Sequence, residues 1–301
     1  MGDTSTTWGS LRASHGYPDP FDIPYVEIGN EDFLNNGLET YQSRFNLFYD
    51  AIHAAYPNIS IVATTSALAE TGCTEDCGII LPDGVYQDIH QYLPPDEFVS
   101  KFDFYDNVNR SQPLLVGEYG STTNNDNTTT YFSTMQGAVS EAVYMIGMER
   151  NSDVVKMSCF APILEHFNLA QWSPDLIGLD AATGITRSVS YFVQMMFSAN
   201  RGDTILPVES DTSFNPAFWV ASSAGNTTFV KLANYGTTEQ TISINIDGKT
   251  SGSLTQLSGD ILESNTIGKE NIIPVVSTVA GEDGTFSFSL PAWSVSILVA
   301  Q

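Results

Sequence analysis

Glu31 closes the run Ile28-Gly29-Asn30-Glu31-Asp32, and Glu118 stands in Leu115-Val116-Gly117-Glu118-Tyr119. Each glutamate ends a short apolar segment, and each is followed by a stretch with helical character. A carboxylate at the tip of a buried strand is costly to desolvate, so stability alone does not explain it. In a β/α alternation, the carboxyl ends of the strands are where a parallel barrel gathers its reactive groups. Two carboxyls about 5 Å apart can serve as nucleophile and acid/base in retaining glycoside hydrolysis. Taken singly, each has a plainer reading: Asn30-Glu31-Asp32 as a helix-capping turn, and Glu118 as a solvated loop carboxylate. The pair is the stronger signal. Strands near 61 and 86 fall between the two, which sets them three strands apart, across the mouth of an eight-stranded barrel.

His90 and Tyr92 end the strand just before that of Glu118. A tyrosine hydroxyl donating to a nucleophilic carboxylate keeps it ionised and oriented, while apolar surroundings hold a partner glutamate protonated. His90 fits a hydrogen-bonded core histidine equally well. Glu165, His166, Gln171 and Trp172 follow the fifth strand on the same rim. Trp172 offers either a sugar-stacking face or a packed core ring. Glu27 is read as a structural ion-pair or polar-core residue. No ligand cluster stands at metal spacing, so neither a metal nor a cofactor is implied.

The elements that must position these residues alternate. Tyr25–Ile28 is a short strand. Apolar residues at Tyr41, Phe45, Phe48, Ile52 and Ala55 follow helical spacing, and Pro57 stops the helix. Ile61–Thr64, Tyr86–His90, Pro113–Gly117 and Val155–Ala161 read as further strands, the fourth near-continuously apolar as buried parallel strands are. Helices are expected from Pro95, over about 131–149 and over Ser188–Phe197, and residues 1–24 read as loop. From about residue 201 short alternating runs such as Thr241-Ile242-Ser243-Ile244-Asn245-Ile246 are separated by Gly, Asn and Asp turns. That texture predicts an antiparallel β-sandwich over 201–301. The first 200 residues then hold five strand–helix units of an α/β (β/α)8 (TIM) barrel, which closes with eight strands and about 250 residues.

The chain has 301 residues, of which 35 are acidic and 11 basic, for a net charge of −24. So negative a field argues against nucleic acid, anionic membranes and polyanionic substrates, and suits a protein working on a neutral polymer outside the cell. Four Asn-x-Ser/Thr sequons, at Asn58, Asn109, Asn127 and Asn226, lean the same way. Cys73 and Cys77 lie four apart in a polar loop, and a local disulfide between them would fit an oxidising compartment. Cys159 sits in an apolar run and reads as a buried thiol. The opening Met-Gly-Asp-Thr-Ser-Thr-Thr lacks the marks of a signal peptide, so the expectation of secretion places the natural start elsewhere.

Three stretches carry a family resemblance: Pro24–Leu34 (PYVEIGNEDFL), Leu114–Gly120 (LLVGEYG) and Ala161–Asp180 (APILEHFNLAQWSPDLIGLD). They resemble the fungal branch of glycoside hydrolase family 51, the α-L-arabinofuranosidases. Asn-Glu with a later glutamate is shared by many clan A glycosidases, whereas the Gln-Trp-x-Pro-Asp-Leu-Ile run points to this family. The resemblance implies a retaining exo-hydrolase removing terminal arabinofuranosyl groups from arabinoxylan or arabinan. It makes Glu31 the acid/base, Glu118 the nucleophile, Asn30 a ligand of the sugar 2-hydroxyl and Tyr92 the partner of the nucleophile. Gln171 is nearest to the family's late glutamine ligand. It also implies barrel strands four to eight over residues 1–200, with the family's earlier strands and their sugar ligands absent from this stretch. An open barrel exposes two strand edges and a large apolar face, a recipe for poor folding or aggregation unless a partner such as a second copy in a homo-oligomer covers them. It also suits the rival reading, a non-catalytic fragment that binds carbohydrate or needs a partner chain. Another clan A glycosidase, a xylosidase or endoglucanase, is the second rival.

Overall fold

The computed structural model describes residues 1–301 apart from Phe33, Asn35, Asn36, residues 65–78 and the Leu38 side chain. The Cys73–Cys77 pair therefore lies outside the described residues. The chain forms two compact units, Met1–Ile89 with Ser111–Leu115, and His90–Arg110 with Val116–Gln301. The division runs through two strands, β3 (Tyr86–Tyr92) and β4 (Leu114–Gly120).

In the first unit β1 (Tyr25–Ile28) pairs in parallel with β2 (Ser60–Thr64), Ile28 opposite Ala63, and β2 pairs in parallel with β3, Thr64 opposite Asp88. Parallel strands need a long crossover, supplied by α2 (Leu38–Ala55). Its buried stripe is Tyr41, Phe45, Tyr49 and Ile52, packed on Ile28, Ile61, Ala63 and Val85. Phe48, assigned to that stripe from its spacing, is exposed, because the 4, 4, 3 series takes Tyr49 inward instead. Pro57 bars Tyr56 from helical geometry and ends the helix. Residues 1–24 are not all loop. Helix α1 (Thr7–Ser14) starts at Thr6, whose hydroxyl accepts from the Gly9 N–H at 3.1 Å. The Arg12 guanidinium fixes it by donating to the carbonyls of Gly2, Tyr17 and Pro18. Capping and one forked side chain replace an apolar stripe here, so no periodicity announces the helix.

The second unit holds the end of β3, α3 (Pro95–Ser100), most of β4, α4 (Met135–Arg150), β5 (Val155–Phe160) and α5 (Val189–Ala199). Apolar nearly all round, α4 is buried over most of its length. It packs with Phe192, Val193 and Met196 of α5 and with Phe218, Val220, Val295 and Ile297 from the strands beyond. A small sheet absent from the sequence reading lies between β5 and α5: β6 (Leu164–His166) and β7 (Ile177–Asp180) are parallel, and β7 is antiparallel to β8 (Gly184–Arg187).

Beyond α5 the strands are antiparallel, as their alternation predicts. They are β9 (Thr204–Leu206), β10 (Ala217–Ala224), β11 (Thr227–Asn234), β12 (Gln240–Asn245), β13 (Ser251–Ser258), β14 (Val275–Glu282), β15 (Thr285–Leu290) and β16 (Ser294–Ala300). They form one sheet in the order β12-β15-β14-β13-β16-β11-β10-β9, rather than two separate ones. Only the last two residues of β14, Gly281 and Glu282, pair with β15. Ala221, Val230, Leu254, Phe286, Leu290 and Leu298 then share one core, so a single folded sheet does the work of two facing layers.

Candidate active site

In the first unit Glu31 sits on a turn held from several sides. Gly29 has φ +99°, and a Cβ there would lie 2.2 Å from Asp32 Oδ2 and 2.6 Å from Thr64 Cγ2. Only glycine fits that approach. Glu31 itself takes φ +47°, a left-handed conformation costing a non-glycine residue on the order of 1 kcal/mol. Such a conformation persists where its surroundings over-determine it. Here the Glu31 N–H donates to Thr64 Oγ1 (3.0 Å) and Tyr41 donates to the Ile28 carbonyl (2.6 Å). Asp32 accepts from the Asn30 N–H (3.1 Å) and from Arg44 (2.5 Å). The turn's carboxylate is thus Asp32, while the half-buried Glu31 contributes its main chain to it. Asn30 is exposed. Glu27 is exposed as well, correcting its reading as a polar-core residue.

In the second unit the structure brings Glu118, Tyr92 and His90 together. Successive strand residues face opposite ways. Tyr119 points inward, packs on Tyr144 and Phe160 and donates to Gln194 Oε1 (2.8 Å), which leaves Glu118 the other face of β4. His90 and Tyr92, two apart on β3, share a face for the same reason. The Tyr92 hydroxyl donates to Glu118 Oε2 at 2.5 Å, and His90 Nδ1 lies 3.4 Å from the same oxygen. An O–H···O bond of that length lies at the short end of the range. His90 is 2 % exposed. It is therefore both a core histidine and a neighbour of the carboxylate, and the two readings of this residue coincide.

The other residues singled out in the sequence fall as follows. Gln171 and Trp172 lie on the loop between β6 and β7, both exposed, and Trp172 at 73 % is no core ring. Glu165 is buried on β6 near Asp175. Burial and the facing Asp175 push the Glu165 carboxyl up to about 7, and burial raises Asp175 too. Asn58, Asn109, Asn127 and Asn226 are exposed, and so is Cys159, against the expectation of a buried thiol. Among the carboxyls that escaped the sequence reading, one stands out. Glu141 is fully buried in α4, where it accepts from the Ser121 N–H (2.9 Å) and the Ser190 hydroxyl (2.5 Å). Its signal was available: it is the one charged residue in the apolar run Gly137–Met148.

Residues 117–294 match the family model described as the α-L-arabinofuranosidase C-terminal domain. The chain belongs to the α-L-arabinofuranosidase family. Residues 1–110 match a second model, the α-L-arabinofuranosidase 1 domain. The whole chain is 48 % identical to α-L-arabinofuranosidase A of Aspergillus niger over 305 residues, covering 46 % of that protein. Among solved structures, an arabinose-bound α-L-arabinofuranosidase of glycoside hydrolase family 51 superposes with TM-score 0.88 at 34 % identity, over all of this chain and 49 % of that one. The α-L-arabinofuranosidase from Thermotoga maritima, an arabinose complex, gives TM-score 0.77 over 98 % of this chain and 70 % of that one, and at 17 % identity it shows a shared fold. The chain thus spans about half the length of the curated arabinofuranosidases it matches.

Proposed function

We propose that this chain carries the catalytic carboxylates of a retaining, exo-acting α-L-arabinofuranosidase, which releases terminal L-arabinofuranosyl residues from arabinoxylan or arabinan. In this reading residues 1–200 are strands four to eight of a (β/α)8 barrel and residues 201–301 a second, β-sandwich domain. Glu118 attacks the anomeric carbon while Glu31 protonates the departing glycosidic oxygen, leaving a covalent glycosyl ester on Glu118. Glu31 then takes a proton from water, whose oxygen attacks the same carbon and expels the Glu118 carboxylate. Two inversions return the original configuration.

The remaining roles follow from chemistry. Tyr92 and His90 fix the rotamer of Glu118, Asn30 reads the sugar 2-hydroxyl, Gln171 supplies a further hydrogen bond, and the exposed Trp172 gives a stacking face for the aglycone side. The exposed sequons and the charge of −24 support a secreted glycoprotein acting on neutral plant polysaccharide, away from nucleic acid and anionic membranes. Among the described residues no helix is long and apolar enough to cross a membrane. The observation that carries the proposal is the Tyr92 hydroxyl on Glu118 Oε2 at the end of β4, in a chain of this family.

The test is hydrolysis of p-nitrophenyl α-L-arabinofuranoside by the 301-residue chain beside Glu118→Gln and Glu31→Ala. Turnover should vanish in the first variant. The second should lose natural substrates while sparing those with good leaving groups. Xylose or oligosaccharide products would move the assignment to another glycosidase. A folded, monodisperse chain with no turnover would make it a non-catalytic carbohydrate-binding fragment or one subunit of a larger assembly.

A further inference from the structure

The buried carboxyl of Glu141 is unused by the mechanism above, yet it lies directly behind the strand that bears Glu118. The chain leaves β4 through Glu118-Tyr119-Gly120-Ser121. Ser121 is 4 % exposed, and its N–H ends on Glu141 Oε1 at 2.9 Å. The other oxygen, Oε2, receives the Ser190 hydroxyl at 2.5 Å, and Ser190 Oγ lies 2.5 Å from Ser133 Oγ. Ser190 belongs to the first turn of α5 and Ser133 precedes the Thr134 cap of α4. Three elements thus meet on one carboxyl. A second device holds the same strand end: Tyr119 donates to Gln194 of α5. Gly120 leaves no room for movement, since a Cβ there would lie 2.9 Å from the Ala161 carbonyl oxygen.

A carboxyl buried without a cation costs more than an amide or an apolar side chain would. Simple packing of α4 would be served by leucine. What leucine cannot do is accept the Ser121 N–H. That donor lies one residue beyond the end of β4 and is met by the Glu141 carboxyl.

Resting on the assignment of Glu118 as nucleophile, we propose that Glu141 is a positioning residue for it: its carboxyl fixes the carboxyl end of β4 through Ser121 and so sets the attack geometry of Glu118. The arrangement works in both protonation states. Ionised, Glu141 accepts from Ser121 and Ser190. Protonated, it donates to Ser190 Oγ, whose hydroxyl turns to donate to Ser133 Oγ, and the Ser121 bond is kept. Burial pushes this carboxyl up to about 7, so both states are used near neutrality.

The test compares Glu141→Leu with Glu141→Gln in the 301-residue chain by hydrogen-exchange mass spectrometry and by steady-state kinetics on p-nitrophenyl α-L-arabinofuranoside. Leucine fills the site but strands the Ser121 N–H. Exchange should rise about tenfold or more in peptides spanning 117–122, while α4 and α5 stay protected. The kcat should fall about tenfold or more with KM little changed, because misplacing a reacting group acts on the chemical step. Glutamine keeps an oxygen for Ser121 and an N–H for Ser190, and should restore both readings. Exchange over 117–122 that ignores Glu141→Leu, or that rises equally throughout the second unit, overturns the proposal. So does a kcat that holds while 117–122 loosens. Turnover that survives Glu118→Gln removes the functional assignment, and a wild type without turnover removes it for this chain. In both cases the exchange data still decide whether Glu141 holds the strand end.

Discussion

Replacing Glu141 by glutamine should flatten part of the pH dependence of stability, by an amount the structure fixes. Glu141 titrates near 4.5 in an ordinary setting and near 7 in the folded chain, because burial disfavours its charge more than Ser190 and Ser121 relieve it. A folded state that holds its proton to higher pH than the unfolded state binds more protons between those values. Stability must then fall as pH rises. The contribution is fully present below about pH 4.5 and is lost as pH climbs through 7. At 1.36 kcal/mol per unit it amounts to about 3 kcal/mol. The neighbouring Tyr119 hydroxyl is itself raised by burial and stays neutral throughout. Glu165 and Asp175 are shifted in the same sense, but they occur in both chains and cancel in the difference. Urea unfolding followed by tryptophan fluorescence reads chiefly the correct unit, because three of the four tryptophans, Trp172, Trp219 and Trp293, lie in the second one, and the fourth, Trp8 of the first, is 78 % exposed and changes surroundings little on unfolding. The stability of wild type minus that of Glu141→Gln should decline by about 3 kcal/mol between pH 4 and pH 8. Parallel curves would refute the reasoning and show that Glu141 keeps an ordinary affinity for its proton.

Two further predictions concern the carboxylates proposed as catalytic. Tyr92→Phe removes a hydroxyl from a charged acceptor, worth about 1.5–3 kcal/mol in general, and at the lower end here because Glu118 is 30 % exposed. The kcat/KM should fall about tenfold with the melting temperature nearly unchanged, and an unaltered kcat/KM would separate Tyr92 from catalysis. Gly29→Ala forces a Cβ into Asp32 and Thr64 at a φ of +99°, so the first unit should lose about 2 kcal/mol or more of stability. A calorimetric scan in which the variant melts with wild type would show that the Glu31 turn is softer than these distances require.

The strands were legible because each is a short apolar run bounded by turn residues, and β1 to β5 lie where those runs are. What failed did so for identifiable reasons. The stripe of α2 could be threaded through Phe48 or Tyr49 at helical spacing, and only the strands beneath it select Tyr49. Helix α1 has no stripe at all, being capped by Thr6 and clasped by Arg12. The β6–β8 sheet is made of three- and four-residue strands, too short for a period to emerge. At the site, strand alternation alone put His90 and Tyr92 on one face. The bond between Tyr92 and Glu118 is a tertiary fact, suggested by Tyr92 ending the strand before that of Glu118 and by the family resemblance, and it needs the folded sheet to form. Glu141 was missed because its helix was read for its ends rather than for the charge in its middle.

The two glutamates are held in ways that suit two different duties. Glu118 stands in a regular strand, with Tyr119 and Ser121 anchored behind it and a hydroxyl and an imidazole on one of its oxygens. A nucleophile needs a fixed direction and a standing charge. Donors such as a tyrosine hydroxyl support that charge without neutralising it, as an arginine would. Glu31 instead stands on a left-handed residue of a turn whose bonds are made by main chain, Thr64 and the Asp32–Arg44 pair. The Asp32–Arg44 ion pair, one residue along, holds the loop. In the proposed double displacement the sequence Asn30-Glu31-Asp32 therefore divides into a sugar ligand, an acid/base and a brace. In that reading the brace explains why a plain capping turn and a catalytic turn look alike in sequence: one turn serves as both, through different residues.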